Sequence, residues 1–147
     1  MEISKQEPIY SISTAAKLLG ISVPTLRVYE KERLIIPFKK ESNQRLYSQA
    51  DLERVECIRR AINEQKISVN GIKAIYSLIP CWEIINCSQE DRDVCGAYNS
   101  EDQPCWTFSH PDNVCENRSC RECEVYTNYS NCGTIKGLLK NIIGKAV

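Results

Sequence analysis

The stretch Tyr10-Ser-Ile-Ser-Thr-Ala-Ala-Lys-Leu-Leu-Gly-Ile-Ser-Val-Pro-Thr-Leu-Arg-Val-Tyr-Glu30 decides the fold of the amino-terminal half. Tyr10-Ser11-Ile12 is a short β-prone entry, Ser13 is a good N-cap, and Gly20 ends the helix that follows. Ser22 can cap a second helix with Val23 and Pro24 in its first turn, where a missing backbone N–H does no harm. Two short helices joined by a Gly-containing turn of about three residues are the helix-turn-helix pattern. Helical spacing places Pro24, Arg27, Val28 and Lys31 on one face of the second helix, with Leu26 roughly opposite. Arg27 can donate two hydrogen bonds to a guanine edge or clamp a phosphate, and Thr25, near the helix start, can touch either.

Working outward, Leu34-Ile-Ile-Pro-Phe-Lys-Lys40 and Gln44-Arg-Leu-Tyr47 flank Glu41-Ser42-Asn43, as expected for a small hairpin, the wing. Lys39, Lys40 and Arg45 put positive charge at its base and rim, where phosphates beside a groove would lie. Ser48-Gln49-Ala50-Asp51 resembles a capping box with Asp in place of Glu. Leu52, Val55, Ile58 and Ile62 then form a helical stripe, which predicts a third helix over roughly residues 49–65. Ser68 caps a fourth helix whose Ile72, Ile75, Tyr76 and Ile79 repeat at i, i+3, i+4 and i+7 before Pro80 stops it. Those stripes are core, and Cys57, off the main stripe, reads as a small apolar residue.

The run Tyr10 to Glu30, followed by Leu34-Ile-Ile-Pro37 and Asn43-Gln-Arg-Leu-Tyr47, closely resembles the MerR family of regulators over half of the chain. The resemblance implies a winged helix-turn-helix of two helices, a wing and two further helices. It also implies binding as a dimer to inverted repeats in promoter spacers, with the DNA bent and untwisted and with RNA polymerase at the same promoter. By position in the motif, Ser13, Thr25, Arg27, Tyr29 and Arg45 would contact DNA, with Lys39 and Lys40 beside them. Typical members continue into a long helix that pairs with its twin. Here Pro80-Cys81 stands where that helix would begin, which leaves a homodimer through another segment or several copies laid along DNA.

The net charge of zero over 147 residues hides an asymmetry. Residues 1–80 carry 13 Lys+Arg against 9 Asp+Glu, whereas residues 81–147 carry 6 against 10. A basic half suits a polyanion. Eight of the nine cysteines fall between Cys81 and Cys132. No apolar stretch resembles a signal h-region or a membrane span, which predicts a cytoplasmic protein without a membrane partner. In a reducing compartment clustered cysteines are more often metal ligands than disulfides.

Only Cys120-x-x-Cys123 has a common metal-ligand spacing, letting one loop offer two thiolates to one site. Residues 81–132 hold few aliphatic side chains and 3 Lys+Arg against 10 Asp+Glu, so metal ligation or disulfides would have to help them fold. Zinc and an iron–sulfur cluster both accept four thiolates, so ligand type leaves the two open. Cys81-Trp-Glu83, Cys87, Cys95-Gly-Ala-Tyr98, Cys105-Trp106, Cys115 and Cys120-Arg-Glu-Cys-Glu-Val-Tyr126 resemble the two-CW cysteine modules appended to bacterial signalling proteins. The resemblance implies a sensory attachment using Cys81, Cys87, Cys95, Cys105, Cys115, Cys120 and Cys123. Cys132 is extra to that pattern, and His110, the only histidine, ranks below the cysteines.

Beyond Gly133, Ile135, Leu138, Leu139, Ile142 and Ile143 predict an amphipathic terminal helix. The expected organisation is a mainly α chain: a tail over 1–8, the winged helix-turn-helix over 9–80, an irregular cysteine-rich module over 81–132 and a helix over 133–147. The leading reading is a transcription regulator, not an enzyme, bound to double-stranded promoter DNA and sensing redox or metal state through its cysteines. An excisionase-like or architectural DNA-binding protein with a structural zinc module is the alternative. A thiol oxidoreductase using Cys120 and Cys123 ranks last, because no βαβ setting surrounds that dithiol.

Overall fold

In the computed structural model, which describes residues 4–108, 110, 115–116, 119–129 and 140, the first helix is capped by Ser11 rather than Ser13. Ser11 pairs with Leu46 and is therefore extended, and its Oγ accepts the Thr14 N–H at 3.3 Å. Only an extended residue can turn its side chain back onto the first turn, so Ser13 falls inside the helix instead. Helix α1 (Ile12–Leu19) ends at Gly20, whose φ of +69° is the left-handed cap a side chain would disfavour. Helix α2 (Val23–Lys31) is capped by Ser22 with Pro24 in its first turn, as its sequence predicts.

The chain then forms β2 (Phe38–Lys39) and β3 (Arg45–Tyr47), and β3 also pairs with β1 (Tyr10–Ser11) in a three-stranded antiparallel sheet of order β1-β3-β2. The wing is thus the hairpin expected from residues 34–47, with shorter strands. Asn43 takes a φ of +68°, a conformation Asn tolerates, and its N–H donates to the Lys40 carbonyl at 2.8 Å to close the turn. Helix α3 (Gln49–Asn63) begins with the expected capping box: the Asp51 N–H donates to Ser48 Oγ at 3.1 Å and the Ser48 N–H to Asp51 at 2.8 Å. Ala15, Ala16, Leu26, Leu34, Tyr47, Val55 and Ile58 make the core of this unit.

By packing, the chain forms two compact units, Met1–Gln65 and Lys66–Val147. Helix α4 (Val69–Ser77) accordingly packs within the second unit, where Tyr76 meets Trp106 with ring centroids 5.4 Å apart. The physical reason is apolar supply: the segment after Pro80 is poor in aliphatic side chains, and Ile72, Tyr76 and Ile79 bring it a buried face. Three short helices follow, α5 (Cys81–Ile84), α6 (Gln89–Asp93) and α7 (Gly96–Asn99), then 3₁₀ turns at Cys105–Thr107 and Cys120–Glu122 and a π-helical turn at Val125–Tyr129. Cys132 and the expected terminal helix over 133–147 lie outside the described residues, Lys140 excepted. Among the described residues no helix is long and apolar enough to cross a membrane.

Candidate functional site

The first unit presents a basic face. Helix α2 exposes Pro24, Arg27, Val28 and Lys31 and buries Leu26, as its spacing predicts. Ser13 is exposed on α1, Thr25 is half-buried, and Lys39 and Lys40 are exposed on the wing. Tyr29 is 7 % exposed, because three residues after Leu26 it shares the core side of the helix.

Arg45 does two things at once. Its Nε donates to Glu30 Oε1 at 2.5 Å, which ties the wing to α2 and raises the guanidinium pKa further. Its side chain still keeps 36 % exposure. The register places Lys39 directly across from Arg45. Like charges opposite one another on a sheet are destabilising, so this pairing is the arrangement expected of a surface that meets an anion.

The second unit gathers the thiols. Cys81, Cys87, Cys95, Cys105, Cys115, Cys120 and Cys123 all line one cavity of about 40 Å³. A single bound water needs only about 10–15 Å³ of such space. Local geometry explains how distant cysteines converge. Cys81 opens α5, and Asn86, at φ +61°, turns the chain back so that the Cys87 N–H reaches the Trp82 carbonyl at 3.0 Å, the closing bond of a Schellman turn. Cys95 precedes α7, whose Gly96 lies so close to Phe108 that an added Cβ would stand 3.2 Å from its ring. That close approach draws Cys95 towards the turn carrying Cys105. Cys120 and Cys123 share one 3₁₀ turn, closed by the Cys123 N–H to the Cys120 carbonyl at 3.2 Å.

The frame around the thiols is aromatic. Trp106, 1 % exposed, stands edge-on to Tyr126 at 5.2 Å, and Trp82 stands edge-on to Tyr98 at the same distance. The Cys105 thiol hydrogen-bonds Cys81, which lowers the pKa of Cys81 and raises that of Cys105. Burial pushes Cys87 up.

Two further residues line the cavity: Arg92, which the sequence reading did not single out, and His110, which it ranked below the cysteines. Arg92 has a buried Nε with no hydrogen-bond partner among the described residues, although its Nη2 lies 3.7 Å from Glu83. His110 sits on the wall, with Nδ1 3.6 Å from Cys95 Sγ and Nε2 3.1 Å from the Cys105 carbonyl oxygen. No spacing rule singles out either, because the chain folds back before they meet the cysteines. Among the described residues no three His, Cys, Asp or Glu side chains converge tightly enough for a single metal ion.

Residues 10–78 match the family described as MerR HTH family regulatory protein. The chain is 34% identical over 77 residues to HspR, named a heat shock protein, of Streptomyces coelicolor, covering 52% of this chain and 51% of that protein. It is 39% identical over 51 residues to the HTH-type transcriptional regulator TnrA of Bacillus subtilis, covering 35% and 46%. A Haemophilus influenzae protein named as a heavy metal-dependent transcriptional regulator is 46% identical over 54 residues, covering 36% and 42%. The chain thus spans about half the length of the curated relatives it matches. The helices, the wing and these matches agree: residues 10–78 are a MerR-type helix-turn-helix domain.

Proposed function

We propose that this protein is a DNA-binding transcription regulator whose thiol cavity holds an iron–sulfur cluster, and that the state of the cluster biases promoter binding. The observation that carries the reading is the convergence of seven thiols, supplied by separate turns, on one cavity. Seven donors exceed the four that one tetrahedral ion takes, which favours a polynuclear group over a lone structural zinc. Cys120 and Cys123 would hold it from one turn, with the others supplying the remaining ligands. Bound there, such a group supplies a redox-active centre with net negative charge. The buried, unpartnered Arg92 Nε suits a donor to that charge, and Trp82, Trp106 and Tyr126 limit the water around it.

On the DNA side, Arg27 and Thr25 read the major groove, Ser13, Lys39, Lys40 and Arg45 meet phosphates, and Arg45 also holds the wing in place. Double-stranded promoter DNA is the partner, with a second copy of the chain on the other half of an inverted repeat and RNA polymerase at the same promoter. Helix α4 offers a route between the two activities, since it ends the family match and carries Tyr76 onto Trp106 on the cavity wall.

Anaerobic purification of the full chain, with absorption spectra and iron, sulfide and zinc analysis, tests the cavity. Visible absorption with iron and sulfide is expected. Colourless stoichiometric zinc, or a folded metal-free protein, overturns the cluster. Gel shifts on the protein's own promoter region, with loaded and chelated protein, test the coupling, and equal affinities overturn it.

A further inference from the structure

We infer that His110 is a ligand in the thiol cavity, binding through Nδ1 beside Cys95 so that the bound group has one nitrogen donor among sulfurs. The inference rests on the cluster reading above and adds a donor that neither spacing nor similarity assigns. Three observations carry it. His110 lines the same cavity as the seven thiols. Its Nε2 stands 3.1 Å from the Cys105 carbonyl oxygen, which can only accept, so Nε2 is the donor of that contact and Nδ1 is the ring nitrogen left towards Cys95. A metal-bound histidine characteristically donates its other ring N–H to such a carbonyl, which fixes tautomer and orientation.

The third observation is a distance. Two donors on one tetrahedral metal, a sulfur at about 2.3 Å and a nitrogen at about 2.0–2.1 Å, stand about 3.6 Å apart. Cys95 Sγ and His110 Nδ1 are 3.6 Å apart. The pair is thus spaced as two corners of one coordination sphere. Cys105 contributes to the wall through its thiol and orients the imidazole through its carbonyl, so one turn positions both.

The test uses the full chain, purified and reduced under anaerobic conditions, and pulsed electron paramagnetic resonance of the cluster. Wild type is expected to show nitrogen hyperfine coupling from one imidazole. His110→Ala is expected to lose that coupling and to release iron to a chelator roughly tenfold faster or more. His110→Cys should retain iron without the coupling and at a lower reduction potential, since replacing imidazole by thiolate lowers it. An iron-loaded wild type without nitrogen coupling overturns this inference alone, a result that needs no variant to fold. A wild type that holds no iron and sulfide overturns the cluster reading and this inference with it.

Discussion

Arg45 on the wing donates from Nε to the Glu30 carboxylate on helix α2, so an ion pair ties the wing to the second helix of the helix-turn-helix. Charge alone and tethering make opposite forecasts for its removal. Losing Glu30 takes a negative charge from the face proposed to meet phosphates, yet it also frees the wing. The tether should dominate, because an unrestrained wing must be ordered on binding. Glu30→Ala is expected to weaken DNA binding roughly threefold and Arg45→Ala roughly tenfold, the latter about 1.4 kcal/mol. Tighter binding by Glu30→Ala in a gel-shift titration would show that the pair merely screens charge.

Arg27 stands exposed on α2. Arg27→Ala should cost about 1–3 kcal/mol of DNA binding and relax base preference at one position, whereas Lys39→Ala should act evenly across sequences and reduce the salt slope by about one. Titrations on matched and mismatched operators at two salt concentrations separate these outcomes. Unchanged affinity in Arg27→Ala would remove it from the reading face.

Tyr47 is fully buried, its hydroxyl has no hydrogen-bond partner among the described residues, and burial pushes its pKa up to about 12 from the ordinary 10.0. The folded state therefore keeps the proton that the unfolded chain begins to release near pH 10. Stability is full below pH 10 and falls as pH rises towards 12, by an amount approaching roughly 2–3 kcal/mol. Tyr47→Phe should abolish that alkaline loss and be neutral or stabilising by about 1 kcal/mol near pH 7. Urea unfolding at pH 7 and pH 11 checks both limbs, and an equal alkaline loss in the variant would refute the assignment.

Trp106 is the centre of the second unit's core, packed between Tyr76 and Tyr126. Trp106→Ala should destabilise that unit by about 3–5 kcal/mol and expose its thiols. Thiol-labelling rates under native conditions provide the measurement. Labelling as slow as wild type would mean that the cavity does not depend on this ring.

Much of the first unit was legible in residue order. Gly20, Ser22, Ser48 with Asp51, and the Leu26-opposite-Arg27 pattern each fix a local structure through a local cause, a cap or a helical period, and the structure keeps all of them. The first cap moved from Ser13 to Ser11 because strand pairing with Leu46 decides which serine is extended. Motif position nominates Tyr29 for DNA contact, while helical periodicity puts most of its side chain beside Leu26 in the core.

The sequence by itself determined the helix-turn-helix, its wing and the basic residues that face outward, because those features depend on neighbours within a few positions. The tertiary structure alone decided the rest. It assigned α4 to the cysteine unit, since an amphipathic stripe does not name the surface that covers it. It brought seven thiols, Arg92 and His110 to one cavity, since irregular chain with few repeating periods converges through turns, close approaches and buried rings. And it joined Arg45 to Glu30, fifteen residues away, through a sheet register that no local pattern encodes.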